Sequence, residues 1–171
     1  MSVSRAPDWF IEPFNDDGSV DWPSARAWVG DMHAVLLKAL GSDAWTNEMA
    51  GWLGRLTHDA LAWQGVMLTR SGPDDLEDLL FTLLPSRQGD LPGSPESAVQ
   101  ALRALFIYGV HEAGAVAAAH AVTWLDASNR TEELGVALGL QQAIQRKPAR
   151  KRMPRRKKNN HGKKRRNRGK K

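Results

Sequence analysis

Apolar residues recur at helical spacing through most of the first 145 positions, and strand-like alternation is nearly absent. Residues 1–20 show no such period, and Trp9, Phe10, Ile11 and Phe14 within them predict an extended arm packed onto the domain. A first helix is expected to start near Asp21–Ser24, with Pro23 in its first turn, and to end at Gly41. Trp28, Met32, Val35, Leu36 and Leu40 form its apolar face. The next helical run begins at Ser42 or Asp43 and continues to about Arg70. Trp45, Met49, Trp52, Leu56, Trp63 and Met67 share one of its faces, widened by Leu53, Leu61 and Leu68. Glu48, Gly51, Arg55, His58 and Asp59 lie opposite or to one side. Gly51, Gly54 and Gly65 mark where so long a run kinks or divides.

Ser71-Gly72-Pro73 stops that run and opens a short helix through Leu84, ended by Pro85. Its first turn holds Asp74, Asp75, Glu77 and Asp78, where the helix dipole favours negative charge. After a loop over 85–93, Ser94-Pro95-Glu96 signals a helix that turns Ala98, Leu102, Leu105, Phe106 and Gly109 inward and stops near Gly114. A further helix covers about 115–127. Ser128-Asn129-Arg130 turns the chain, and Thr131 caps a last helix to about Gln145. The fold expected is all-α: an arm over 1–20, an irregular bundle of five to seven helices over 21–145, and a disordered basic C-terminal tail over 146–171.

Charge redraws this picture. Sixteen of the 24 Lys and Arg lie in Arg146–Lys171, eight of each type and without one acid, while all 19 acids lie upstream among the remaining eight bases. The body is therefore about −11 and the tail +16, and the net +5 describes neither. So dense a cationic segment calls for a polyanionic partner, for which the acidic body competes. Pro148, Pro154, Gly162 and Gly169 interrupt any helix in it, and self-repulsion opposes collapse. Upstream leucine heptads are missing, which excludes a basic zipper. With no Phe, Trp or Tyr the tail has no platform for stacking bases. The contact expected is sequence-independent neutralisation of RNA or DNA phosphates, with RNA slightly favoured because Arg forks adapt to irregular phosphates. Arg150, Lys151, Arg152, Arg155, Arg156, Lys157, Lys158, Lys163, Lys164, Arg165, Arg166 and Arg168 would carry it collectively. The alternative is docking on an acidic protein surface, either another protein's or Asp74, Asp75, Glu77, Asp78, Glu132 and Glu133 of this chain. In a eukaryotic cell, 151–158 and 163–171 also read as nuclear import signals.

Candidate chemistries fail one by one. Without cysteine there is no disulfide, thiol nucleophile or Cys-ligated zinc. His111-Glu112 opens a helical metalloprotease pair, but Ala115 stands where the second histidine belongs. The five histidines show no ligand spacing, and neither a phosphate loop nor a nucleophile elbow occurs. Gly51-Trp52-Leu53-Gly54 matches GXXG only in letters, inside helical sequence and without bases between the glycines. Gly135 and Gly139 permit close packing of helices within the domain. The acids at 74–78 read as a charged first turn rather than a metal or catalytic site. The tryptophan stripe reads as a core seam rather than a peptide groove. Neither cofactor nor metal is expected. The start MSVSRAPDWF lacks the regions of a signal peptide, and the apolar stretch 113–122 is too short to span a bilayer, so a cytoplasmic protein is expected.

Leu79-Leu80-Phe81-Thr82-Leu83-Leu84-Pro85, followed by a polar loop and a helix with Ala98 to Tyr108, resembles uncharacterised helical modules of bacterial proteins that often also carry a SEC-C zinc motif. The resemblance implies a bacterial cytoplasmic helical protein without a known enzyme activity. SEC-C needs cysteines, so its zinc-dependent binding does not carry over. The reading of the whole chain is a non-enzymatic adaptor, with a tail that binds nucleic acid and a body that binds a protein partner or itself.

Overall fold

The computed structural model describes residues 6–87 and 89–145, with side chains described through 139. Six helices and no strand occur among the described residues. They are α1 (Trp22–Leu40), α2 (Asn47–Asp59), α3 (Pro73–Asp78), α4 (Pro95–Glu112), α5 (Ala118–Leu125) and α6 (Arg130–Gln145). A π turn, Ala60–Gln64, prolongs α2. A second π turn, Leu79–Leu83, and a last α turn, Leu84–Ser86, prolong α3. The tail's expected disorder lies outside the described residues.

Helix α1 follows its sequence signals. The Asp21 carboxylate accepts the Ser24 N–H at 3.2 Å and the Ser24 hydroxyl at 2.6 Å, and these bonds hold its carboxyl below the ordinary range. Pro23 occupies a first-turn position that needs no donor. Gly41, at φ +83°, ends the helix.

Helix α2 starts later than its apolar period implies, because Thr46 accepts the Met49 N–H and takes the cap from Ser42 or Asp43. Trp45 is buried all the same, its indole N–H donating to His33 Nδ1 at 2.9 Å. Gly51 and Gly54 do not break the helix, and Gly51 instead admits Pro92, whose Cβ would stand 2.8 Å from a Cβ added there. The chain leaves at Gly65, in the left-handed region.

The π turn overturns part of the expected seam. It holds about one residue more than an α turn, which sets later side chains back by up to about 100°. Trp63, expected inside with Trp52, is 52% exposed, whereas Trp52 is fully buried. Asp59, expected on the polar side, is buried, its carboxylate taken by Arg55 Nε at 2.7 Å.

Pro85 does not end α3 as expected. The Leu84 N–H reaches back five residues to the Leu79 carbonyl, and Pro85 sits within the final turn, where it brings no donor to the ladder.

Helix α4 begins at the Ser94 cap and buries Ala98, Leu102, Leu105, Phe106 and Gly109 as its spacing predicts. It lies centrally, against α2, α5 and α6. Helix α5 is shorter than expected because Gly114, at φ +66°, and the turn after it delay its start to Ala118. Helix α6 starts one residue before Thr131 and packs through Leu134 and Leu138. Gly135 touches Pro95 only at ordinary distance and Gly139 meets nothing, so neither sets a close helix approach.

In the arm, Trp9 lies edge-on to Phe106, with ring centroids 6.3 Å apart, over Gly109, where any Cβ would overlap the indole. The Asp8 carbonyl accepts the Trp28 indole N–H at 3.0 Å. Phe10 is exposed, contrary to expectation, because neighbouring side chains of extended backbone point to opposite sides and Trp9 takes the inward one.

Candidate functional site

All twelve tail residues from Arg150 to Arg168 singled out for phosphate contact lie outside the described residues. The acids offered as the alternative docking surface are on view. Asp74, Glu77, Asp78 and Glu132 are exposed. Asp75 is half-buried and accepts the Gly72 N–H at 2.9 Å, and Glu133 pairs with Arg130 at 3.0 Å. The charged first turn of α3 is thus partly its own cap. Among the described residues no three His, Asp or Glu gather as a metal site. Of the histidines, His33 accepts from Trp45, His58 lies face to face with Trp22 at 4.7 Å, and His111 and His120 are exposed.

The outward face of α2 carries an arrangement that sequence reasoning missed. Arg55, His58 and Asp59 share one side of the helix, and the π turn swings Trp63 toward that line. His58 stacks on Trp22 from α1, with Arg26 beside them lining the same small pocket. On the other flank the Arg87 guanidinium covers the Trp63 ring, 3.1 Å from its centroid. Arg87 Nε has no hydrogen-bond partner among the described residues. The Gln64 side-chain amide donates to the Asp75 carbonyl at 2.8 Å and fastens the π turn to α3. Three of the body's seven described Lys and Arg, Arg26, Arg55 and Arg87, therefore sit with three rings on one face. Trp22 and His58 are 36 positions apart and Trp63 and Arg87 are 24 apart, so no local spacing signals either pair.

A second feature is a cleft of about 550 Å³ where the C-terminal half of α1 diverges from α4. Leu36 and Met49 floor it, and Ala39 and Leu40 form an apolar wall. Arg103, Ile107, Tyr108, His111 and Glu112 form a mixed wall opposite. Leu40, expected in the core, is 44% exposed here because the helices part. Volume and lining suit an apolar chain with one polar edge.

The N-termini of α2 and α4 are joined by Glu48. Its carboxylate accepts the Ser97 hydroxyl at 2.6 Å and the Ser94 N–H at 3.2 Å. The Ser97 bond first, and the Ser94 N–H second, hold that carboxyl below the usual glutamate range. A Cβ at Gly93 would overlap the Glu48 side chain, so the loop before α4 needs glycine there.

Compared with family models, curated proteins and solved structures, the chain matches none.

Proposed function

We propose that this chain is a non-enzymatic adaptor whose segment 146–171 holds RNA or DNA by its phosphates while the acidic helical body receives a protein partner. One observation carries the reading: sixteen cations without an acid in the last 26 residues, attached to a body with 19 acids. Such a segment gains affinity by releasing condensed counterions and needs no base sequence. Fully extended it reaches on the order of 80–90 Å, far enough to follow a folded nucleic acid away from the repelling body. The α1–α4 cleft offers the partner an apolar seat with a mixed rim. The resemblance of Leu79 to Tyr108 to helical modules without known activity agrees with this reading and extends it to a bacterial cytoplasm. Among the described residues no helix is long and apolar enough to cross a membrane.

A second reading is supported by the exposed acids Asp74, Glu77 and Asp78, on which the tail of this or another copy would dock. Tethering gives an intramolecular contact of that kind an effective concentration of about millimolar.

Fluorescence anisotropy of labelled RNA and duplex DNA, with full-length protein and a 1–145 truncation across a salt series, separates the two. Full-length protein is expected to bind with log K falling against log salt at a slope of roughly −4 to −9. The truncation is expected to lose about 100-fold or more while keeping its helical circular dichroism. Failure of full-length protein to bind at low salt, or undiminished binding by the truncation, overturns the phosphate reading.

A further inference from the structure

We infer that the outward face of α2 is a base-stacking platform, on which unpaired bases of a single-stranded nucleic acid lie against Trp63 and the Trp22–His58 pair. The inference rests on the phosphate-binding reading of the tail. That tail has no ring and grips any polyanion alike. The body supplies what it lacks.

Trp63, at 52%, is the most exposed of the seven tryptophans. Its helical period would bury it beside Trp52, and the π turn puts it in water, a distortion frequent at functional sites. Arg87 lies flat on the ring at 3.1 Å. Its Nε makes no hydrogen bond among the described residues, so ring contact positions the guanidinium, which leaves it free to shift or to serve as a stacking plane itself.

Size and charge fit the same occupant. Eight residues of helix separate Arg55 from Trp63, about 12 Å, or roughly three stacked nucleotides. Of the acids here, Asp59 is buried and neutralised by Arg55, and Asp21, Asp78 and Asp90 stand at the borders. Elsewhere the body is predominantly acidic, so a strand meets least repulsion along Arg26, Arg55 and Arg87.

The test compares a labelled single-stranded oligonucleotide with an abasic strand of equal length and charge, by anisotropy at fixed salt, on full-length protein. Wild type is expected to prefer the base-bearing strand by about 5- to 100-fold, as stacking one or two bases implies. Trp63→Ala is expected to lose most of that preference, Trp63→Phe to keep part of it, and both to bind the abasic strand as wild type does. Equal binding of the two strands by wild type, or a preference untouched in Trp63→Ala, overturns the platform and leaves the tail reading standing. Wild type that fails on both strands removes the tail reading and the platform with it. Trp63 is exposed, so circular dichroism is expected to show the variants folded.

Discussion

Trp52 and Trp63 stand eleven positions apart, at nearly the same angle on an ideal α-helix, and meet opposite surroundings. Trp52 is fully buried in the seam with Met49 and Leu56. Trp63 faces solvent under Arg87. Trp52→Ala is therefore expected to cost about 3–5 kcal/mol and Trp63→Ala no more than about 1 kcal/mol, measured by urea denaturation. Near-equal costs would place both rings in the core. The sequence marks these rings as apolar and helical, but angular counting assumes 3.6 residues per turn and is blind to one that holds more. Trp45 shows the converse. It is buried where its period predicts, yet from a turn outside the helix and through a bond to His33.

Helix ends were legible wherever a short-range chemical device sets them. Asp21, Gly41 and Ser94 do what their residue types imply. Pro85 misleads because a π turn ahead of it changes what the ladder requires. Links between helices were not legible at all. Glu48 looks like a solvent-face residue of α2, yet it reaches 46 and 49 positions onward to hold the start of α4. Its carboxyl is shifted down in the folded chain, so its stabilising contribution is complete above 4.5, the ordinary glutamate value, and is lost as pH falls through the lowered one. Glu48→Gln is expected to melt below wild type at pH 7 and to converge with it in acid. Thermal melts across pH 7 to 3 check this, and a constant gap would mean the contact does not depend on the charge.

For the whole molecule, the division into acidic body and basic tail is plain in the sequence because formal charge needs no fold. What escapes the sequence is which surfaces stay open, since the α1–α4 cleft and the ringed face of α2 arise from elements far apart in the chain. The division also implies competition between nucleic acid and the body for the tail. Neutralising Asp74→Asn, Glu77→Gln and Asp78→Asn together is expected to tighten nucleic-acid binding of full-length protein several-fold at low salt. The effect is expected to vanish near 0.5 M salt, where charges are screened within about 4–5 Å. Asp75 is left in place because it caps α3. Anisotropy unchanged by the triple substitution would mean that the tail never visits that turn.

Each π turn is also a record of ancestry. It is an α-helix carrying one residue more than its hydrogen-bond ladder accommodates, the form a single-codon insertion takes when a core tolerates it. A cousin of this chain lacking one residue within 60–64 would keep the Trp52 seam and lose the outward tryptophan. Aligning such a cousin correctly requires gaps inside two helices, at 60–64 and at 79–83, where indels are ordinarily least expected.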